Sequence, residues 1–276
     1  MIHRYRVHRT SEWGLAIATR ALPAGAQRAL KSVRDACAII RKEGLHCYAQ
    51  LGRIAKTTGH NSEHTLQFRT LKFPFTLRAG SSDCGEFVAT VMTDVLLPFL
   101  PEKADLVVDA GAFIGDSTCW YLTRFPEAVV VAVESDASNF SILERNVRPY
   151  GSRCVPLKGA VWPWPARLRA LGPSPDTLSV HEVDDDQAYD CDAFTIPDIL
   201  RKVGSNRIDV LKCNIEGAEE QLFSHGADEW LRRTSLVYVQ VHNGRARAAV
   251  LSAAERNGFC CYVHRGFHIL RAASGV

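Results

Sequence analysis

The sequence predicts an α/β fold, a doubly wound and mostly parallel seven-stranded sheet with a helical N-terminal extension. Three observations support this prediction. From Asp105 onward, short apolar segments alternate with helical ones, which is typical of a parallel sheet covered on both faces. Near the C-terminal end, two apolar segments are joined at Arg265-Gly266, which indicates a β-hairpin. The first third has the three- and four-residue apolar spacing of helices.

The expected sheet consists of five strands followed by the hairpin. The predicted strands are Leu106–Val108, Val129–Val133, Cys154–Leu157, Ile208–Leu211, Leu236–Val241, Phe259–Val263 and His268–Leu270. The predicted helices between and after them are 116–124, 137–148, 196–203 and 245–257. The closing hairpin would place antiparallel strands at the edge of the sheet.

The N-terminal extension is expected to contain two helices and a short extended region. The predicted segments are helices at Trp13–Ala21 and Ala24–Arg41 and extended pieces that begin at His64 and continue to Arg78. A further helix is predicted over Asp83–Leu97, at the start of the main domain. We place the extension at residues 1–74 and the main domain at residues 75–276.

An apolar stripe marks the second of these helices. Its members are Leu30, Val33, Cys37 and Ile40, which recur at helical spacing. We expect the stripe to pack on a core rather than to anchor the chain in a membrane. Residues 163–192 are different, because they contain four prolines and the acidic run Asp184–Asp186. We expect a structureless loop near the functional site there.

Composition indicates a globular protein, since 46% of residues are apolar and 23% are charged. No apolar run approaches the roughly 18–20 residues that cross a bilayer, and no signal peptide follows the N-terminus, so we expect a cytoplasmic protein. The nine cysteines lack zinc or disulfide spacing, and we expect reduced, buried thiols. Residues 1–60 hold 11 Lys or Arg and 3 Asp or Glu, but without the interleaved aromatic residues of a nucleic-acid site.

The first predicted strand ends in a glycine-containing turn, Asp109-Ala110-Gly111-Ala112-Phe113-Ile114-Gly115. In a doubly wound sheet, ligands bind at such carboxyl ends of strands. A carboxylate at Asp109 disfavours a pyrophosphate and favours a ligand that carries an ammonium or sulfonium charge. The second strand ends at Glu134, which could accept both hydrogen bonds of a ribose diol. Since GxGxxG is absent, the pattern favours an adenosine-type cofactor other than NAD.

These blocks resemble the FkbM family of methyltransferases. The motif from Val107 to Thr118 is similar to the family's cofactor motif, and Glu134 with Asn146 to its next block. The most specific stretch is Ile208–Glu219, Ile-Asp-Val-Leu-Lys-Cys-Asn-Ile-Glu-Gly-Ala-Glu, and Val239–His242 resembles the closing block. The resemblance covers roughly residues 75–245. It implies a Rossmann-like class I methyltransferase that uses S-adenosylmethionine, usually to methylate a hydroxyl of a sugar or natural product.

The residues and the resemblance together give an expected site. The cofactor-binding candidates are Arg78, Asp83, Asp109, Gly111, Ala112, Phe113, Gly115, Ser117, Glu134, Ser135, Ala160, Val161 and Asn214. The catalytic candidates are His242, Glu216, Lys212 and Asn214. His242 is the first choice as a base because its ordinary pKa lies near neutrality. Glu216 is the second choice as a base, although it could instead cap the following helix.

Two departures from the family pattern weaken the expectation of a metal. The family usually has Asp at the position of Asn214 and Glu at the position of Gln240. An amide is a poorer ligand for a hard cation than a carboxylate, and it cannot act as a base. We therefore expect no metal, and an amine acceptor stays open beside a hydroxyl.

The leading hypothesis is an O-methyltransferase with a small-molecule acceptor. The alternatives are an N-methyltransferase, an NAD-dependent oxidoreductase and a non-catalytic cofactor-binding protein. We expect no nucleic-acid partner and no membrane span, and a homodimer is possible.

Overall fold

The computed structural model describes residues 24–57, 62–171, 179–184 and 187–272. The chain divides into two compact units, one that extends to Leu97 and one that begins at Pro98. The expected domain limit at residues 74/75 stays a prediction, and the predicted helix at Trp13–Ala21 lies outside the described residues. None of the helices in the described part is long and apolar enough to cross a membrane.

The second unit contains the predicted seven-stranded sheet, in the order β12-β13-β11-β10-β3-β4-β5. Its strands are β3 (Leu106–Ala110), β4 (Val129–Glu134), β5 (Cys154–Lys158), β10 (Ile208–Cys213), β11 (Thr234–Gln240), β12 (Phe259–His264) and β13 (Phe267–Ala272). The five strands from β11 to β5 in this order are parallel, and the hairpin β12–β13 is antiparallel. The fold prediction is confirmed.

The helices of this unit are α4 (Asp116–Arg124), α5 (Ala137–Val147), α6 (Ile196–Val203), α7 (Glu219–Ser224), α8 (Ala227–Leu231) and α9 (Gly244–Arg256). Helices α4, α5, α6 and α9 begin within one residue of their predicted positions, whereas no bounds were predicted for α7 and α8. Local sequence fixes several of these ends. Asp136 accepts a hydrogen bond from the Asn139 amide at the start of α5, and Thr195 with Asp198 forms a capping box at the start of α6.

The prediction of a structureless loop at residues 163–192 is wrong. The described residues form β7 (Arg167–Leu171) and β8 (Ser179–Val183), which pair antiparallel, and β9 (Cys191–Phe194), which pairs with β7 and with β6 (Ala160–Val161). Pro163 and Pro165 lie before β7. Leu168, Val180 and Cys191 point into a small buried cluster, and that burial is what the acidic and proline-rich composition concealed.

The first unit contains α1 (Ala24–Glu43) and α2 (Leu45–Lys56), the antiparallel pair β1 (Glu63–Leu66) and β2 (Phe75–Arg78), and α3 (Asp83–Phe87). Its core includes Phe68 and Phe75, whose rings lie 4.4 and 5.1 Å from that of Phe87. The predicted helix over Asp83–Leu97 is wrong in length. It continues after α3 only as a π-helical turn over Val88–Met92, and Asp94 then adopts a left-handed φ of 58°.

The prediction for the apolar stripe of α1 is also wrong for every member whose side chain is described. Val33, Cys37 and Ile40 are exposed, whereas Ile39 and Glu43 are buried. Polar contacts explain the rotation of the helix. The Glu43 carboxylate accepts hydrogen bonds from the amides of Arg69 and Thr70 and from the Thr70 hydroxyl. A buried carboxylate with three donors holds this face inward, so the apolar stripe faces outward.

The cysteines are free thiols, as expected, and all but two of them are buried. All nine cysteines lie among the described residues and are unpaired, and only Cys37 and Cys260 are exposed.

Candidate active site

The strand order reverses between β3 and β10, because the chain continues from β3 toward β4 and from β10 toward β11 on opposite sides. In doubly wound sheets, the crevice at this reversal, outside the carboxyl ends of the strands, is where ligands bind. The turn after β3 and the turn after β10 therefore form the candidate site. They are directly connected, since the Asn214 amide donates to the Ala110 carbonyl over 2.9 Å.

The turn after β3 depends on two glycines for different reasons. Gly111 has a φ of 74°, and a Cβ there would lie 1.8 Å from the carbonyl oxygen of Asn214. Gly111 thus allows the two turns to touch. Gly115 has a φ of 88° at the start of α4, where a side chain would be strained. Phe113 adopts a φ of 52°, a conformation that costs a non-glycine residue about 1 kcal/mol or more.

Asp109 is fully buried beneath this turn and paired inside the protein. Its Oδ2 accepts hydrogen bonds from the hydroxyls of Ser117 and Thr118, both over 2.6 Å. Its Oδ1 lies 3.0 Å from Nζ of Lys212, a contact that is an ion pair but lacks the alignment of a hydrogen bond. Lys212 also donates to the Gly111 carbonyl over 2.6 Å. Asp109 and Ser117 therefore support the turn from below.

Lys212 remains charged in this environment. Burial lowers the pKa of Lys212, but the carboxylates of Asp109, Asp116 and Glu134 outweigh it and hold that pKa above its usual value. With a side chain that is 6% exposed, Lys212 is a structural contact between β10 and the turn after β3.

Glu134 ends β4 beside the same turn. Its Oε2 accepts a hydrogen bond from the Phe113 amide over 2.9 Å, and its Oε1 accepts one from the Asp136 amide over 2.8 Å. Burial raises the pKa of the Glu134 carboxyl to about 7, against the opposing effect of these two amides. Ser135 follows it in a partly buried position. A backbone hydrogen bond connects Glu134 to the turn after β5, since the Gly159 amide donates to the Glu134 carbonyl.

A second group of charged residues lies after β10 and β11. His242 Nδ1 is 2.7 Å from Oε1 of Glu219, and its Nε2 is 3.4 Å from Oε2 of Glu216. Glu219 is fully buried, while the Glu216 side chain is 35% exposed. Glu216 has a φ of 47° and is followed by Gly217 at 95°, so its backbone is held in a strained turn.

The reason for choosing His242 as the base does not hold in this structure. Hydrogen bonds to Glu216 and then to Glu219 raise the pKa of His242 to about 10, well above neutrality. At neutral pH, both ring nitrogens of an imidazolium carry protons and neither can accept another. Glu219 was absent from the expected site, although its position three residues after Glu216 was a usable signal.

The four-stranded sheet formed by β6, β7, β8 and β9 packs against the turn after β10. Trp162 and Ala218 belong to one buried cluster, and Trp164 and Ile215 pack against it. The Trp162 indole N–H is buried without a hydrogen-bond partner among the described residues, whereas Trp164 donates to Glu182 over 2.9 Å. Ala160 and Val161, expected to bind the cofactor, are buried in β6. The expected position of residues 163–192 near the site is therefore supported by contacts with Ile215 and Ala218.

Arg78 and Asp83 are paired with each other in the first unit. The Arg78 guanidinium donates to both carboxylate oxygens of Asp83, over 3.0 and 2.9 Å, and the Arg78 amide donates to Oδ2 over 2.8 Å. Asp83 is fully buried. Their contribution to cofactor binding stays a prediction. Among the residues that the structure describes, no group of three or more His, Cys, Asp or Glu could hold a metal ion.

Several solved structures resemble the chain at low identity. The precorrin-6y C5,15-methyltransferase of Geobacter metallireducens GS-15 is 11% identical, with a TM-score of 0.39 and coverage of 63% of this chain and 84% of that chain. Fibrillarin from Aeropyrum pernix, with natively bound S-adenosyl-L-methionine, is 12% identical, with a TM-score of 0.41 and coverage of 68% and 74%. A putative RNA methyltransferase from Pyrococcus horikoshii is 12% identical, with a TM-score of 0.40 and coverage of 82% and 97%. No curated protein matches the sequence.

The family assignment rests on a different match. The sequence model of the family described as "Methyltransferase FkbM domain" matches residues 109–259. This region begins at Asp109, beneath the first turn, and includes Glu134, Lys212 and His242. It spans more than half of the chain, and S-adenosylmethionine is the cofactor. The chain belongs to the FkbM family of S-adenosylmethionine-dependent methyltransferases.

Proposed function

We propose that this methyltransferase methylates oxygen, on a hydroxyl group of a sugar or another natural-product small molecule. The observation that carries the proposal is the group of Glu216, His242 and Glu219 after β10 and β11. A hydroxyl must lose its proton as the new C–O bond forms, so an O-methyltransferase needs a proton acceptor at the reacting oxygen. Glu216 is a partly exposed carboxylate that a charged histidine holds in place.

Two observations indicate that the residues of the site fit the cofactor. Each Glu134 oxygen accepts one hydrogen bond from a backbone amide, which leaves each oxygen able to accept another from a ribose hydroxyl. The buried Oδ1 of Asn214 has no hydrogen-bond partner among the described residues, and the backbone carbonyl of the same residue lies against Gly111. A buried acceptor without a donor costs stability, so a ligand N–H is the partner we assign to it.

The expected cofactor residues then divide into two roles. We propose that Gly111, Phe113, Glu134, Ser135 and Asn214 contact the cofactor, with Ala160 and Val161 lining the adenine side. Asp109, Ala112, Gly115 and Ser117 shape the turn instead, since they are buried or occupied within the protein. Lys212, expected to be catalytic, has the same supporting role.

The proposed reaction needs one proton transfer by the protein. S-adenosylmethionine supplies a methyl group that is already activated by its sulfonium. As the acceptor oxygen forms its bond to the methyl carbon and the C–S bond breaks, Glu216 takes the hydroxyl proton. His242, as an imidazolium, donates to Glu216 and to Glu219 and so orients the Glu216 carboxylate. Glu219 is a positioning residue, because it is fully buried and acts through His242.

The alternatives predict different responses. An amine acceptor can lose its proton to solvent before it binds, so an N-methyltransferase would depend little on Glu216. A non-catalytic protein would bind the cofactor without turnover, and an oxidoreductase would bind NAD.

The test is an acceptor screen with the purified protein, in which S-adenosylhomocysteine release and product mass are measured. Glycosides and phenolic or alcoholic natural products are compared with matched amines, and cofactor binding is measured by calorimetry with S-adenosylmethionine and NAD. The proposal expects methyl transfer to oxygen that depends on Glu216. Transfer only to nitrogen would refute the O-methylation proposal while leaving the family assignment intact.

A further inference from the structure

The helical pair α1–α2 presents apolar side chains to solvent. Six large hydrophobic residues are exposed among the described residues, and four of them, Val33, Ile40, Leu45 and Tyr48, lie within residues 33–48. Val33 is 60% and Leu45 is 68% exposed. Scattered single exposures are normal on a protein surface, but this concentration within one short segment is typical of an interaction surface.

The apolar residues of α1 are accompanied by arginines. Val33 and Ile40 are seven residues apart, two helical turns, and so lie on one side of α1. Arg34 and Arg41 repeat with the same spacing one position later, and their side chains are 47% and 72% exposed. An apolar stripe bordered by a cationic stripe is the pattern of a helix that lies in the interface of a lipid bilayer.

The net charge of the α1–α2 segment indicates the charge of the partner that it would bind. Residues 24–57 contain seven Lys or Arg and two Asp or Glu, a balance of +5. Both acidic side chains are occupied: Asp35 pairs with Arg34, and Glu43 binds the backbone of residues 69 and 70. A third acidic residue, Asp94, also lies near α1 and forms ion pairs with both Arg41 and Lys42. With Asp94 counted as a third acid, a balance of +4 remains for this segment.

We propose that the exposed face of α1–α2, defined by Val33, Arg34, Ile40, Arg41, Leu45 and Tyr48, docks on an anionic lipid surface. Two copies of this face would bring like charges together, which disfavours a dimer through it. A nucleic acid would satisfy the arginines but would leave the aliphatic side chains without an apolar environment. An anionic bilayer matches both, since its head groups attract the arginines and its acyl boundary accepts Val33, Ile40 and Leu45. The inference does not depend on the nature of the methyl acceptor.

The experiment is vesicle flotation of the full chain with two compositions, phosphatidylcholine alone and phosphatidylcholine mixed with phosphatidylserine. We expect binding to the mixed vesicles only, and weaker binding as salt is added. The double variant Val33→Glu/Ile40→Glu removes the apolar contacts and adds two repelling charges, so partitioning should fall by about tenfold or more. The matched control is Tyr189→Glu, an exposed residue of the second unit, which should bind the vesicles like the parent protein.

A second variant separates the charge contribution from any effect on folding. Arg34→Gln/Arg41→Gln keeps the apolar stripe, and partitioning should fall by about fivefold for each charge removed. Retained binding of S-adenosylmethionine by both double variants shows that the fold is intact. Absence of binding to the mixed vesicles, or equal binding to both compositions, overturns the proposal. So does a native dimer that Val33→Glu/Ile40→Glu dissociates, or an RNA that competes the protein off the vesicles.

Discussion

Two groups of charged residues lie at the same edge of the sheet and differ in how their carboxylates are paired within the protein. At the end of β3, Asp109 is fully buried, and Ser117, Thr118 and Lys212 contact its carboxylate. After β10 and β11, a single histidine is shared by Glu216 and Glu219, and one oxygen of Glu219 has no hydrogen-bond partner among the described residues. The carboxylate of the first group is neutralised by a lysine and held by two hydroxyls, whereas the second group retains a partly exposed carboxylate and excess negative charge.

The difference indicates which group supports the fold and which is available for chemistry. A buried, fully paired charge costs most when one partner is removed, because the other is left uncompensated. A partly exposed carboxylate in a strained turn contributes little to stability and remains free to exchange a proton. Substitutions in the two groups should therefore separate stability from turnover.

The largest expected effect is that of Lys212→Met. It leaves Asp109 buried without its counter-charge, so the free energy of unfolding should fall by about 3–5 kcal/mol. Binding of S-adenosylmethionine should fall with it, because the Gly111 carbonyl loses its donor. Urea unfolding and calorimetry measure the two effects. The control is Lys158→Met at the exposed end of β5, for which we expect a change within about 0.5 kcal/mol. Equal effects of the two substitutions would contradict the buried-pair role.

Glu216→Gln should lower kcat by about 100-fold or more, because it removes the proposed proton acceptor. Stability should change by less than about 0.5 kcal/mol, since the side chain is partly exposed. Steady-state kinetics with a hydroxyl acceptor and thermal unfolding are the measurements. Glu220→Gln, four residues away and also partly exposed, is the matched control and should retain activity. Full activity of Glu216→Gln would rule out its role as the base.

Glu219→Gln should have a smaller effect, of about tenfold in kcat, together with a changed pH profile. In the native protein His242 has a pKa of about 10, above its ordinary value of 6.5, so its contribution to stability is complete below pH 6.5 and is lost as the pH rises through 10. The same loss of the imidazolium should lower kcat/KM above pH 10 in the native enzyme. Without the Glu219 charge, this alkaline limb should move down by about one pH unit or more. An unmoved limb would show that Glu219 has only a packing role.

The smallest expected effect is on the pH dependence of cofactor affinity. Burial raises the pKa of Glu134 to about 7, and the ionised form is the better acceptor for ribose hydroxyls. Affinity for S-adenosylmethionine should therefore rise by up to about tenfold as the pH increases through 7 and then level off. Stability of the free protein should change in the opposite sense, falling as the pH rises from the ordinary carboxyl pKa of 4.5 to about 7. Calorimetry across this range, with Glu134→Gln as the variant that should lack the dependence, checks both the sign and the residue.

The strands and most helices of the second unit were predictable because each is signalled locally. Alternation of apolar strands with capped helices is sufficient to identify α4 and α6 at their observed limits. Strands β7 and β8 were missed because the surrounding proline and acidic residues conceal two short strands, whose burial depends on the cluster with Trp162. The rotation of α1 was missed for a similar reason. Apolar periodicity assigned the wrong face to the interior, and hydrogen bonds from residues 69 and 70 to Glu43 determine the one observed.

The sequence by itself determined the fold class, the family and the positions of the turns that carry the site, since all three depend on local pattern and motif order. The tertiary structure decided what the charged residues do. Whether Asp109 is paired, whether His242 carries a proton and whether Val33 faces inward each depend on which distant side chains meet them. The turn between Asp109 and Gly115 illustrates both contributions, because the sequence alone identified its glycines. Only the fold showed that Gly111 makes room for Asn214 and that Lys212 holds the turn from below.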